Sequence, residues 1–509
     1  MIRVLTAFIL AAGACFAGDW LTFGSDPQRT GLAVGEDVLN AQTVSKLKLE
    51  WKIKLDVPIK ELHTLTTPVV VNPIVTTKGF VEVAVVAGAD DSLYAINTDL
   101  AKIFWQKKFT TNGTPKQVPN WLCPNALTAT PVIDKATRTV YVITSDGFLH
   151  ALNLMNGEDK FPPKQFTPPF AKPYSLNLVN GVLTVPIGQG CNGNKNGIFT
   201  MDLNDPERPV REFRTTTTGG AGIWGRAGAA IGNDGRSYVE TGDGAFDPEA
   251  GKWADSFLSF HPKALVMADY YTPANRAWIT KKDLDQGNFT PAIFPFKGRE
   301  LLAGGGKEGV LFLLDTKSMG GADHREPLYR SELLINEEAD FAGTGFWGSA
   351  ATYEDKAGVR WLYLPAWGPL ASTAPKFPLS YGEVREGSIL AFKIVEKEGK
   401  PFPEPAWISR DMHVPEPPVI ANGVVFAVAS GEYVRQVDEQ ARLMTSQYRI
   451  DHQVSNAALY AFDAKTGKEL WNSGKAMTGF THFGGLAIAN GRIFVTTYDA
   501  TVYAFSVPQ

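Results

Sequence analysis

The stretch NAALYAFDAKTGKELW, from Asn456 to Trp471, reads as a strand, a tight turn and a second strand. Leu459-Tyr460-Ala461-Phe462 has the alternating, aromatic-rich pattern of a half-buried strand. Asp463 to Gly467 supplies the Asp, Thr and Gly of a tight turn, and Trp471 closes the phrase. Related strands recur at Leu93-Tyr94-Ala95-Ile96, Leu149-His150-Ala151-Leu152, Ile198-Phe199-Thr200-Met201 and Phe257-Leu258-Ser259-Phe260. Further copies are Leu311-Phe312-Leu313-Leu314, Ile389-Leu390-Ala391-Phe392 and Val502-Tyr503-Ala504-Phe505. A four-stranded blade takes about 40–50 residues, so the wider intervals between copies contain insertions. The last copy runs out at Phe505-Ser506-Val507 without its Trp strand, and Leu47-Lys48-Leu49-Glu50-Trp51-Lys52 has the missing pattern. The N-terminal strand is therefore expected to complete the last blade and close a ring, which leaves no open edge. The fold expected is all-β: a single eight-bladed β-propeller of four-stranded blades over residues 47–509, after a lead-in segment at 18–46.

The chain has 509 residues, 44% hydrophobic and 20% charged, with a formal net charge of -4. With no basic excess to neutralise phosphates, nucleic acid is not an expected partner. Residues 1–17 read as a signal peptide: Arg3, then an apolar run, then small residues up to a cleavage point after Ala17. A lipoprotein modified at Cys15 is the less favoured alternative, because Ala12-Gly13-Ala14 lacks the usual Leu. No other segment is apolar enough to span a membrane. The mature chain is expected outside the cytoplasm, periplasmic or secreted. Cys123 and Cys191 then remain, and in an oxidising compartment a disulfide between them is expected, with two separate thiols as the alternative.

Placed on a propeller, Gly242 to Ser256, Ala366 to Ser388 and Ser430 to Asn456 are insertions on one face, in blades four, six and seven. Long loops on a rigid scaffold commonly bind, so this face is where an unknown ligand or protein partner is expected. The blade-seven insertion carries Tyr433, Arg435, Arg442, Met444, Tyr448 and Arg449 and reads equally as a contact surface or a self-packed flap. His63, His413 and His482 stand at the starts of innermost strands in neighbouring blades and could converge on a metal. Alternatively each ring serves its own blade. There is no CxxCH for covalent haem, no HExxH and no GxSxG, and Gly304-Gly305-Gly306-Lys307 lacks the spacing of a P-loop.

LYAFDAKTGKELW and the opening WLTFGSDPQRTGLA (Trp20 to Ala33) resemble the repeat and the lead-in of the pyrroloquinoline quinone (PQQ) propeller superfamily. The resemblance covers nearly all of the mature chain and is specific for the fold. It implies one of two functions. One is a binding or scaffold propeller without cofactor, as in an outer-membrane assembly lipoprotein. The other is a quinoprotein alcohol or sugar dehydrogenase with PQQ and calcium on the axis. By resemblance to the dehydrogenases, Trp224 would lie at the quinone and Asp243 would take the place of a calcium-ligating Asn. Asp285, the better match in DLDQGN (Asp283 to Asn288), would be the catalytic base, and Lys307 would reach the quinone carbonyls. The structural alternative makes these a core Trp and turn residues. Two departures count against the dehydrogenase: there is no adjacent Cys pair, and Gly188 to Asn194 lacks the calcium-ligating Glu. Scaffolding is therefore the leading expectation, and dehydrogenase activity with a degenerate calcium site the alternative.

Overall fold

The computed structural model describes residues 18–77 and 79–508; residues 1–17, read above as a signal peptide, and with them Cys15, lie outside the described residues. Eight antiparallel sheets are arranged as blades of four main strands, with short extra strands in blades three and six. Blades one to seven occupy 69–108, 132–165, 172–214, 230–271, 292–330, 351–408 and 419–472. Blade eight consists of Leu486–Ala489, Arg492–Thr496, Thr501–Ser506 and, as its outer strand, Lys48–Lys54. That N-terminal strand pairs antiparallel with the last one, Leu49 opposite Phe505 and Ile53 opposite Val502. Each of the eight strands read from the sequence is the third strand of its blade.

The repeated turn and Trp have a physical role. Asp463 caps its turn by accepting hydrogen bonds from the backbone N–H groups of Lys465 (3.1 Å) and Thr466 (2.8 Å). Gly467 follows at φ +72°, where a Cβ would lie 2.5 Å from the indole of Trp407. Trp407, the outer-strand Trp of blade six, donates its indole N–H to Ala464 O at 2.8 Å. Trp105, the outer-strand Trp of blade one, repeats the arrangement on blade two, donating to Leu154 O at 2.8 Å and packing on Gly157. The Trp of one blade thus locks onto the turn of the next, and the turn must be Gly because the indole takes the space of a side chain.

The lead-in segment has a role its sequence did not disclose. It lies in the axial channel as a plug. Trp20 pairs with Val70 in blade one, and the N–H of Ile133, Ile231, Ile293 and Thr352 donate to Leu21, Pro27, Gln28 and Thr30. Ala33 N–H donates to Ile420 O in blade seven. The segment is tied internally by the fully buried Arg29, which donates to Thr22 Oγ1 (2.7 Å), Phe23 O (2.6 Å) and Leu176 O (3.1 Å).

The insertions join the second and third strands of blades four, six and seven; the first contains a hairpin, Phe246–Asp247 with Lys252–Trp253, and the last the helix Ser446–Asp451. Among the described residues no helix is long and apolar enough to cross a membrane. The inter-blade lock is testable. Trp407→Ala removes a fully buried indole and should cost about 3–5 kcal/mol of stability in denaturant unfolding. The same change at the exposed Trp278 should stay within about 0.5 kcal/mol. Equal effects would contradict the lock.

Candidate active site

A cavity of about 190 Å³ lies within the ring, roofed by the blade-seven insertion. One side is acidic. Asp243 comes from the turn that opens the blade-four insertion, and Asp283 and Asp285 come from the linker after the helix Arg276–Lys282. Ligand oxygens of these three carboxylates lie within 4.8 Å of one another, and among the described residues they form the metal-competent group. Lys307, in a turn of blade five and only 2% exposed, reaches into the cluster. Its Nζ lies 2.6 Å from Asp285 Oδ2 and 2.9 Å from Asp283 Oδ1. The backbone N–H of Asp243 donates to Asp285 Oδ1 at 2.6 Å, so the two segments are joined through the buried carboxylate. This approach requires Gly242 and Gly306: a Cβ would stand 2.7 Å from Asp285 Oδ1 at the first and 2.3 Å from Asp285 O at the second.

The electrostatics follow from crowding three acids around one base. Burial and the neighbouring Asp285 charge push the Asp243 carboxyl up to about 6 and that of Asp283 up to about 7. Burial also opposes ionisation of Asp285, but the Lys307 ammonium and the Asp243 N–H outweigh it and hold that carboxyl below the usual range. Burial lowers Lys307 in turn, and Asp285 and Asp283 more than restore it. The cluster thus holds one firmly ionised pair, Asp285 with Lys307, and two further carboxyls among which a single ammonium must be shared. Trp224 walls this side: the Lys307 Nζ sits 5.2 Å from its ring centroid and 5.7 Å from that of Trp347. Trp347 is stacked in turn on Trp367, 4.6 Å between centroids.

The opposite side is basic. Lys172, Arg449 and His482 line it together with Glu432. Arg449 Nη2 pairs with Glu432 at 2.7 Å, and its guanidinium lies 4.5 Å from the ring centroid of Trp121. The blade-seven insertion is therefore folded back as a flap through Arg449, while Arg442 and Tyr448 stay exposed. Cys123 and Cys191 are joined as a disulfide. It ties the loop after blade one to a turn of blade three and so fixes Trp121, Leu122 and Gln189, which line the cavity.

The structure brings Trp224, Asp243, Asp285 and Lys307 together, as the resemblance implied. It does not gather the three histidines into a metal site. His63 and His482 meet edge-on at 5.0 Å between centroids. His413 instead turns both ring nitrogens to oxygens, Nδ1 to Glu386 at 2.8 Å and Nε2 to the Glu432 carbonyl at 2.7 Å, which leaves neither for a metal. Sequence reasoning ranked Asp283 behind Asp285 and passed over Trp347, Trp367 and Lys172. Lys172 carried no such signal: it stands out of the register that singled out His63 and His413, and only the approach of blade three to the axis places it in the cavity.

The family described as outer membrane protein assembly factor BamB matches residues 455–508. No curated protein matches the sequence. Among solved structures, the chain is similar to quinohemoprotein alcohol dehydrogenase ADHIIG of Pseudomonas putida HK5, at 13% identity over 96% of this chain and 80% of that one, with a TM-score of 0.60. It is also similar to the quinohemoprotein alcohol dehydrogenase of Comamonas testosteroni, at 15% identity over 97% and 81%, TM-score 0.55. A europium-containing methanol dehydrogenase matches at 14% identity over 96% and 98%, TM-score 0.60. Identities this low show a shared fold. The chain is therefore an eight-bladed β-propeller, whose residues 455–508, from the end of blade seven through blade eight, match that repeat family.

Proposed function

We propose that the axial cavity is the active site of an extracytoplasmic quinoprotein dehydrogenase acting on alcohols or sugars. The observation that carries this is the convergence of Asp243, Asp283 and Asp285 with Lys307 against Trp224 in one cavity. The missing Glu was the main sequence argument against a calcium site. Asp283 supplies a third carboxylate in its place.

The residues fit the cofactors of that chemistry. Three ionised carboxylates and one ammonium carry a net charge of -2, and hard oxygen donors of this kind suit calcium. The raised Asp243 and Asp283 carboxyls mark a site short of positive charge. Aromatic walls at Trp224 and Trp121, with Lys172 and Arg449 across the cavity, suit a flat anionic ligand such as PQQ. When bound, PQQ would supply the two-electron oxidant and calcium the Lewis acid.

The chain's own residues divide the remaining work. Asp285 is buried and pinned by Lys307 and the Asp243 N–H, which makes it a good anchor and a weak base. Asp283 is more open to the cavity and its carboxyl sits near neutral pH, so it is the better group to take the alcohol proton. This moves the base from Asp285, the sequence-based choice, to its neighbour. Lys307 stands where it can hold negative charge developing in the cavity. The Cys123–Cys191 disulfide supports an oxidising, extracytoplasmic location. The scaffold reading draws less support, because the largest insertion is anchored into the cavity through Arg449 and Glu432.

Two outcomes are expected. Calcium must displace protons from Asp243 and Asp283, so its stabilising effect should grow as pH rises through about 6 to 7. Melting temperatures with calcium and with chelator from pH 5 to 8 check this, and a calcium effect independent of pH would contradict it. With PQQ and calcium at saturation, Asp283→Asn should lower kcat on alcohols by about 10²-fold or more, its amide oxygen remaining as a weaker calcium ligand. Asp285→Asn should instead weaken calcium binding. Full turnover in Asp283→Asn would remove it as the base.

A further inference from the structure

A second, smaller chamber of about 40 Å³ lies between the axial cavity and Phe23 of the plug. Lys172, Tyr174, His482 and Phe483 line both spaces, while His63 and Arg226 line only the smaller one. Its charges do not balance. Arg226 pairs through Nη1 with the buried Glu416, and Arg449 pairs with Glu432, which also accepts from His482 Nδ1 at 2.7 Å. Lys172 is 4% exposed, and among the described residues no carboxylate lies within ion-pair distance of it. Its one hydrogen bond is a long one, 3.4 Å to Trp121 O. Three buried cations therefore face two carboxylates. An ammonium withdrawn from water without a counter-ion is unfavourable by several kcal/mol.

Donor capacity is left over at the same place. Arg226 Nη2 is buried and has no partner. Arg226 and Lys172 both approach the ring of Phe483, with the guanidinium 3.8 Å and the ammonium 5.9 Å from its centroid. Two cations thus meet one ring at the chamber wall. The Nε2 atoms of His63 and His482 are also without partners.

We propose that this chamber is a binding site for a small carboxylate monoanion, held by Lys172 Nζ and Arg226 Nη2. One negative charge completes the balance, and a carboxylate has two oxygens for the two donors. A volume of about 40 Å³ admits roughly three water-sized groups at about 10–15 Å³ each, which fits formate or acetate. This site is separate from the carboxylates assigned to calcium and does not depend on the dehydrogenase reading.

Binding should depend on pH. Burial and the charges of Arg449 and Arg226 pull Lys172 down to about 7, and burial with the surrounding cations keeps His63 and His482 well below the usual imidazole range. Glu416 and Glu432, both raised by burial, are the opposing groups, and Tyr174 is held neutral. An anion binds the protonated ammonium, so affinity should fall as pH rises through about 7.

The test uses the full mature chain with sodium acetate or formate, followed by calorimetry and melting temperature against sodium chloride at equal ionic strength. Saturable binding at pH 6, at least tenfold weaker at pH 8.5, is expected, and Lys172→Met should weaken it at least tenfold. Lys172→Met should also be no less stable than the parent without acetate, since it removes an unpaired buried charge. If that variant does not fold, the pH dependence of the parent decides. Acetate binding that persists with PQQ at saturation marks a free ion; acetate displaced by PQQ marks the seat of that ligand's own carboxylate. No binding, an equal effect of chloride, or binding unchanged in Lys172→Met would overturn the proposal.

Discussion

Everything at the centre of this protein depends on the pairing of Lys48–Lys54 with Thr501–Ser506. Eight blades built from local hairpins would otherwise form an open array with two frayed ends. Closing the ring brings residues from distant parts of the chain to one axis. The Trp-on-turn contacts fix each blade against its neighbour. The plug from Trp20 to Ala33 then hydrogen-bonds to innermost strands around the channel. The result is a ring in which side chains from separate linkers face one central cavity.

That space is electrically divided. On one side three carboxylates share a single ammonium; on the other, cations outnumber their carboxylate partners. Neither half can rearrange to cancel the other, because each is held by buried backbone contacts such as Asp243 N–H to Asp285 and Lys307 N–H to Asp285 O. A cavity with a cation deficit at one end and an anion deficit at the other is organised for charged ligands. In low effective dielectric such imbalances are felt strongly. The aromatic rings between the two ends give those ligands a flat surface to lie against.

Much of the fold was legible because it is local. Alternation around Tyr460 and the Asp463–Gly467 turn signal a hairpin from a few residues, and repetition multiplies the signal. The three insertions and the strand exchange followed from counting copies. The plug was not legible, since Trp20 to Ala33 forms its hydrogen bonds with partners scattered over the whole chain. The site was partly legible. Asp243, Asp285 and Lys307 stood out through resemblance, whereas the roles of Asp283 and Asp285 are set by which one is buried against Lys307. His413 looked equivalent to His63 by position, yet Glu386 and the Glu432 carbonyl turn it away. Such distinctions arise from convergence in space, which strand periodicity does not encode.

The central claim is that Asp243, Asp283 and Asp285 together bind a cation on the propeller axis. The most direct measurement is anomalous diffraction from crystals of the mature protein grown with a strongly scattering lanthanide in place of calcium. The account predicts one dominant peak within coordination distance of all three carboxylates, at about 2.3–2.6 Å from their oxygens. A map with no peak there, while Lys307 still bridges Asp283 and Asp285, would mean that the lysine is the only cation the cluster holds, and the claim would fail.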